Sequence, residues 1–190
     1  MKKNGFKVFL VTLIFSTVLF GVGCSSIKSL SKTAATSSSK EKAVIIKSKD
    51  SKESITVPDS WKEDNTLNDI ALLQVSKRTQ EKYVMVIGEG LDSFSKDMKL
   101  SDYTKLVKDS MLKAVANSTA TDTTDITVGE NKCQYYELSG EVQKIKATYI
   151  VRTVATKNKF YQIIAWTLTP KFDANKAEIK EVMDSFKVIP

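Results

Sequence analysis

The sequence contains no histidine among its 190 residues. Histidine is the usual general base at neutral pH, the partner of nucleophilic serine and cysteine, and the commonest transition-metal ligand. Its absence excludes Ser-His and Cys-His nucleophile pairs and leaves carboxylate and lysine chemistry available. No catalytic set is recognisable among the remaining residues, so we expect a protein that is not an enzyme, with no cofactor and no metal. A hydrolase built on paired carboxylates stays as a minor alternative.

Cysteine is nearly absent as well, because the chain has only Cys24 and Cys133. If Cys24 carries a lipid, as argued below, Cys133 has no partner within the chain, and a disulfide framework is excluded. Cys133 lies in an apolar stretch beside Gln134 and Tyr135. This setting favours a buried packing thiol over a reactive one, which would need an exposed, electropositive site.

Basic residues are in excess, but the excess is confined to the first part of the chain. Of the formal charge of +7, residues 1–23 contribute +3 and residues 25–42 contribute a further +3, which leaves +1 for residues 43–190. A nucleic-acid-binding domain usually carries a basic face of its own. We therefore expect no nucleic acid partner.

The first 23 residues have the pattern of a secretory leader. Met1–Lys7 is positively charged, and Val8–Gly23 is a continuous apolar run that is shorter than the roughly 20 residues needed to span a bilayer. The run ends in Gly21-Val22-Gly23-Cys24, which resembles the lipobox of bacterial lipoproteins, although an aliphatic residue is usual where Gly21 stands. We predict a lipoprotein signal peptide over 1–23 and lipidation of Cys24, with acyl chains such as palmitate. The alternative is an uncleaved anchor.

A polar segment follows the predicted lipid site. Residues 24–42 are rich in serine, threonine and lysine and contain no aromatic residue. Such a composition cannot bury enough apolar surface to order itself, so we predict a flexible tether. The domain that follows is predicted to span residues 43–190. The chain would then be held at the cell membrane by its lipid, on the extracytoplasmic face.

From residue 43 the pattern indicates strands interrupted by two helices. The first helix is predicted after an N-cap at Ser101 and ends near Asn117, and the second follows Pro170 with Asp173 as its cap. The segment Thr119–Thr127 reads as a threonine-rich loop. The predicted strands, joined mostly by short polar links, are Ala43–Ile46, Ser54–Val57, Ala71–Val75, Tyr83–Ile87, Thr127–Gly129, Cys133–Ser139, Ile145–Ala155 and Phe160–Leu168.

The strand Phe160–Leu168 is apolar on both faces, with Ile164 and Trp166 on one side and Tyr161 and Ile163 on the other. A strand that is covered on both sides is central in its sheet. The short links between neighbouring strands favour antiparallel pairing. We therefore predict an α+β fold in which helices, or a helix and an N-terminal layer, cover the two faces of a central antiparallel sheet.

The run Ile55-Thr56-Val57-Pro58-Asp59-Ser60-Trp61 resembles the opening of the PsbP-like and DcrB-like families. The order of later elements is also similar, up to the closing helix that ends in Ser185-Phe186-Lys187-Val188. The resemblance covers roughly residues 50–190 and implies a central antiparallel sheet sandwiched by helices. Proteins with this fold include photosystem accessory subunits, a Ran-binding nuclear import factor and bacterial surface lipoproteins. It implies binding or accessory roles and supplies no catalytic residue.

Two functional interpretations follow from these observations. The first is a surface lipoprotein that acts as an accessory or binding protein towards another component of the cell envelope. The second is a lipoprotein that binds a small apolar molecule or a lipid in a cleft. The aromatic side chains that could line such a cleft, although packing in the core is their commoner role, are Tyr135, Tyr136, Tyr149, Tyr161 and Trp166.

Overall fold

The computed structural model describes residues 42–189 of the chain. The predicted signal peptide, Cys24 and all of the predicted tether except Lys42 lie outside the described residues. The helices are α1 (Leu100–Ala114) and α2 (Phe172–Asp184), and short 3-10 turns occupy Arg78–Gln80, Leu91–Ser93 and Thr169–Lys171. The strands are β1 (Ala43–Lys47), β2 (Glu53–Pro58), β3 (Lys62–Glu63), β4 (Leu73–Lys77), β5 (Lys82–Gly90), β6 (Ala116–Ala120), β7 (Thr124–Val128), β8 (Asn131–Val142), β9 (Ile145–Ala155), β10 (Lys159–Leu168) and β11 (Lys187–Val188).

Eight strands form one antiparallel sheet in the order β3-β4-β5-β10-β9-β8-β6, and β7 also pairs with β8. β10 lies between β5 and β9, and every residue from Phe160 to Thr167 is buried. The prediction that this strand is central is confirmed, because both of its faces are covered as its sequence requires.

The two faces of the sheet carry different layers. Helix α1 packs on one face, called here the α1 face, over side chains such as Met85, Val151 and Ile164. Helix α2 and a small sheet of order β1-β2-β11 cover the other, the α2 face, over side chains such as Val84 and Ile163. The predicted α+β sandwich is confirmed, and its second layer combines a helix with the N-terminal strands.

Both helices begin close to their predicted starts, but their predicted caps are wrong. Helix α1 starts at Leu100, and the Asp102 carboxylate accepts a hydrogen bond from the backbone N–H of Lys99 at 3.2 Å, so Ser101 lies inside the first turn. Helix α1 ends at Ala114, before the predicted end, because Val115 already has an extended backbone. In α2, Asp173 is likewise in the first turn, where a carboxylate still interacts favourably with the helix dipole.

The segment Thr119–Thr127, predicted as a loop, contributes to two strands. β8 is 12 residues long, and its outer edge supplies backbone partners to both β6 and β7. The register of β6 shifts between Ala116 and Thr119, where Asn117 adopts a left-handed φ of 50°. β6 approaches Gly140 so closely that a Cβ there would lie 2.5 Å from Val115 Cγ1 and 2.8 Å from the Ala116 carbonyl oxygen.

Candidate functional site

The five aromatic residues that could have lined one cleft are divided between the two faces of the sheet. Tyr135 and Tyr161 lie on the α2 face, whereas Tyr136, Tyr149 and Trp166 lie on the α1 face. All except Tyr135 are buried. They therefore do not line a common cleft, because neighbouring residues of a strand, such as Tyr135 and Tyr136, point to opposite faces.

Two of these residues do come together, on the α1 face. Tyr149 and Trp166 are cross-strand partners on β9 and β10 with ring centroids 6.3 Å apart, and Tyr83 of β5 stacks on Trp166 at 5.2 Å. The hydroxyl of Tyr149 is buried and has no hydrogen-bond partner among the described residues. Burial raises the pKa of Tyr149 above its usual range. The three side chains form an aromatic row across three strands.

A groove of about 420 Å³ lies on the α2 face, where the edge of the main sheet meets the first turn of α2. Five of its nine lining residues carry a side-chain hydroxyl, and we call it the hydroxyl groove. The lining residues are Thr119, Ala120, Thr121, Glu137, Ser139, Thr148, Thr169, Phe172 and Asp173. Its volume falls within the range of about 300–1,000 Å³ that is usual for ligand pockets.

Strand register brings the hydroxyls of the groove side by side. Ser139 on β8 pairs with Thr119 on β6 and with Thr148 on β9. Thr169 follows the last residue of β10 and belongs to the 3-10 turn that leads into α2. Since directly opposed residues of neighbouring strands point to the same face, these side chains converge although they are distant in the sequence.

Three of the hydroxyls form a continuous chain of hydrogen bonds. The Oγ atom of Ser139 lies 2.9 Å from Thr148 Oγ1, which lies 3.1 Å from Thr169 Oγ1. Thr148 is only 4% exposed, whereas Thr169, the last hydroxyl of this hydrogen-bonded chain, is exposed. Each hydroxyl can donate one hydrogen bond and accept others, so the chain can run in either direction.

Glu137 is one of two carboxylates in the lining, the other being Asp173. Its carboxylate accepts a hydrogen bond from Lys176 Nζ at 2.6 Å and another from the Tyr135 hydroxyl. Burial alone would raise the pKa of Glu137, but these hydrogen bonds outweigh it and lower the pKa below the usual value. Lys176 also lies over the ring of Phe172, 5.1 Å from its centroid. The carboxylate therefore stays ionised and paired.

Thr121, the residue that follows β6, holds the opposite wall of the groove in place. Thr121 Oγ1 accepts a hydrogen bond from the Glu137 N–H at 3.0 Å, and the Thr121 carbonyl accepts one from Lys108 Nζ of α1 at 2.6 Å. The close packing of β6 on Gly140 fixes the same segment. The wall is therefore tied to both β8 and α1.

Several polar side chains of the groove are engaged with one another and with Lys176. The hydroxyls of Ser139, Thr148 and Thr169 bond to one another, and Glu137 is engaged by Lys176, whereas a nucleophile would need a base in hydrogen-bond contact. Across residues 42–189 no cluster of three or more acidic or thiol side chains could hold a metal ion. Cys133 is buried, and burial raises the pKa of its thiol to about 12.

Sequence reasoning missed the hydroxyl groove. Ser139, Thr148 and Thr169 each occur where a polar residue is ordinary, and the threonine-rich segment that includes Thr119 and Thr121 looked like a loop. The available signal was the repeated occurrence of small hydroxyl residues near the ends of the predicted strands. This signal gains meaning only once the register of β6, β8 and β9 is known.

No protein-family model matches the sequence, and no curated protein matches it either. Solved structures do show the same fold. The cyanobacterial PsbP (CyanoP) of Synechocystis sp. PCC 6803 is 12% identical and superposes with a TM-score of 0.56, covering 82% of this chain and 97% of its own.

Two further solved structures are similar. LpqN, involved in cell envelope biogenesis of Mycobacterium tuberculosis, is 14% identical with a TM-score of 0.55, covering 78% of this chain and 91% of its own. A protein from Bacteroides thetaiotaomicron VPI-5482 is 12% identical with a TM-score of 0.54, covering 80% of this chain and 49% of its own. At these identities the similarity shows the fold alone, and it confirms the predicted PsbP-like architecture.

Proposed function

We propose that this protein is a lipoprotein of the cell envelope, anchored through Cys24 on the extracytoplasmic face of the membrane, where it acts as a non-enzymatic accessory or binding protein. The observation that carries the proposal is the position of Cys24. It follows a charged and apolar leader directly, and 18 residues separate it from the first strand at Ala43.

The folded part supports this role. No helix among residues 42–189 is long and apolar enough to cross a membrane. The last residue of the predicted tether already contacts the domain, since the Lys42 carbonyl accepts a hydrogen bond from the Asp59 N–H at 2.8 Å. LpqN, which shares the fold, is itself involved in cell envelope biogenesis. The hydroxyl groove gives such a protein a surface for binding.

The anchor is tested by metabolic labelling with an alkyne fatty acid, followed by cell fractionation. The wild-type protein should carry the label and sediment with membranes, whereas Cys24→Ala should carry none and should leave the membrane once its leader is cleaved. Cys133→Ala is the matched control, because it also removes a thiol but should keep the label. A leader-free Cys24→Ala protein that stays on the membrane would refute the anchor.

The accessory role is tested by crosslinking the lipidated protein in intact membranes. We expect crosslinked envelope components that are lost when the chain is produced without its anchor. Turnover of a defined substrate by the purified full chain would instead show an enzyme.

A second candidate function is the binding of a small apolar molecule or a lipid. The aromatic row of Tyr83, Trp166 and Tyr149 favours it, together with the buried hydroxyl of Tyr149, which no described residue hydrogen-bonds. Native mass spectrometry of freshly purified protein tests it. A retained ligand of defined mass that is lost in Trp166→Ala supports this candidate, and a ligand-free spectrum at wild-type stability counts against it.

A further inference from the structure

We propose that the hydroxyl groove binds an uncharged polyhydroxylated ligand, namely a sugar unit of a glycan or of a glycolipid headgroup. The inference rests on the proposed binding function and names the class of ligand. It starts from the hydrogen-bonded chain of Ser139, Thr148 and Thr169 along the lining of the groove.

The hydrogen-bonding character of this lining selects the ligand class. Anion sites are built from donors and cation sites from acceptors, whereas a hydroxyl group provides both. A sugar hydroxyl also donates and accepts, so it can extend the chain at the exposed end, Thr169, whichever way the protons of the chain point. Thr119, which also lines the groove, is exposed and offers a further hydroxyl at the rim.

The charges of the groove disfavour an anionic ligand. The carboxylate of Glu137 is balanced by Lys176, and the second lining carboxylate, Asp173, is exposed at the start of α2. A phosphate or a fatty-acid headgroup would therefore meet carboxylates without a free cation among the lining residues. A neutral ligand avoids this repulsion and can accept hydrogen bonds from hydroxyls and donate them to Asp173.

An apolar ligand fits the lining poorly. Within the part of the chain that the structure describes, Phe172 and Ala120 are the only apolar side chains that line the groove. An alkyl chain placed there would cover hydroxyl groups without bonding to them, which costs the hydrogen bonds that these groups otherwise make to water. A sugar ring has both an apolar and a polar surface. Its C–H bonds can pack on the aromatic ring of Phe172, while its hydroxyls form hydrogen bonds with the polar wall of the groove.

The test uses the full chain purified in a zwitterionic detergent that has no sugar headgroup. Binding of a panel of neutral trisaccharides, including maltotriose and chitotriose, is measured by saturation-transfer NMR and by titration calorimetry. A second arm measures binding to phosphatidylcholine vesicles with and without diglucosyldiacylglycerol. Binding to the trisaccharides indicates a glycan, and binding only to the glycolipid vesicles indicates a headgroup; either result supports the proposal.

The variants assign binding to the groove. Thr169→Val removes an exposed hydroxyl and should weaken sugar binding about three- to ten-fold, the effect of one lost hydrogen bond. Ser139→Ala should weaken it similarly. Thr127→Val is the matched control, because Thr127 is exposed on β7 and does not line the groove. It should bind like the wild-type protein.

Three results would overturn the proposal. The first is no binding in either arm by protein that is folded by circular dichroism. The second is sugar binding with wild-type affinity by both Thr169→Val and Ser139→Ala. The third is saturable binding of inorganic phosphate or oleate that Thr169→Val weakens. The proposed envelope function fails separately. If Cys24 is acylated and the sugars do not bind, only the ligand class is wrong. If sugars bind and Cys24 is not acylated, only the anchor is wrong.

Discussion

Replacement of Glu178 by glutamine should destabilise the fold strongly, because this carboxylate on α2 serves three partners. Its Oε1 atom accepts hydrogen bonds from Trp61 Nε1 at 2.7 Å and from Lys77 Nζ at 3.5 Å, and its Oε2 atom is bound by Lys82. The side chains of Lys82 and Lys77 are only 4% and 12% exposed. The variant would leave the buried ammonium group of Lys82 without this carboxylate counterion.

The size of the effect follows from burial. Removal of one member of a buried ion pair costs about 3–5 kcal/mol, because the remaining charge stays desolvated. The side chain of Glu178 is 28% exposed, so water screens part of this interaction. We therefore expect a loss of about 2–3 kcal/mol in the free energy of unfolding. For a folded part of this size, that corresponds to a fall in the melting temperature of roughly 5–10 °C.

Urea unfolding followed by circular dichroism measures this loss, with an unchanged dependence on urea as the sign of two-state behaviour. Glu181→Gln is the matched control, because Glu181 lies exposed on the same helix. It should change stability by less than about 0.5 kcal/mol. The double variant Lys82→Met/Glu178→Leu should recover part of the loss, since it removes a buried charge together with its partner.

The effect should also depend on pH. Burial alone would raise the pKa of Glu178, but hydrogen bonds from Lys82 and Trp61 outweigh it and lower the pKa below its ordinary value of 4.5. A carboxylate with a lowered pKa stabilises the fold above its unfolded-state pKa, and this contribution is lost as the pH falls through the folded-state pKa. The advantage of wild type over Glu178→Gln should thus be constant from pH 6 to 7 and shrink below about pH 4. A loss no larger than that of Glu181→Gln at pH 7 would refute the reasoning.

Three further predictions concern other parts of the fold. Gly140→Ala should lower the free energy of unfolding in urea by about 1–3 kcal/mol, because the new Cβ would lie 2.5 Å from Val115 Cγ1. Wild-type stability of this variant would show that the segment of Val115 and β6 can move aside. Cys133 should resist a thiol reagent at pH 8 until the protein unfolds, because the pKa of its thiol is raised to about 12; rapid labelling of folded protein would contradict its burial. Burial alone would raise the pKa of Asp64, but hydrogen bonds from Arg78 and neighbouring hydroxyls lower it to about 2. Asp64→Asn should therefore lower the free energy of unfolding by about 2 kcal/mol at pH 7. This loss should become progressively smaller as the pH falls from about 4 to 2. A cost independent of pH would show that the carboxylate charge is not responsible.

Much of the architecture was predictable because it depends on local pattern. The two-sided apolar character of Phe160–Leu168 identified the central strand, and the apolar stripes identified both helices. Their caps were less predictable, since Lys99 takes a position where serine is preferred and Asp102 compensates from the first turn. β6 was missed because its polar sequence forms a strand only where the edge of β8 supplies partners.

The hydroxyl groove was not predictable for a different reason. Thr148 and Thr169 meet because β9 and β10 pair in a particular register, and Ser139 joins them through the pairing of β8 with β9. Such register depends on packing across the whole sheet, which one sequence does not reveal. In the same way, Tyr135 and Tyr136 could be identified as sheet residues, but the sequence did not reveal which layer would cover each of them.

The edge position of β1 has a mechanical consequence. If Cys24 is held in the membrane, a force that pulls the folded domain away from the membrane enters the fold at Lys42 and acts first on β1. Among the described strands, β1 pairs with β2 alone. Force applied at one end of a short antiparallel pair breaks its hydrogen bonds one after another, as in unzipping. Release of the five residues of β1 would lengthen the tether by roughly 17 Å, while the main sheet stays folded. The first strand would then act as a yielding link between membrane and domain.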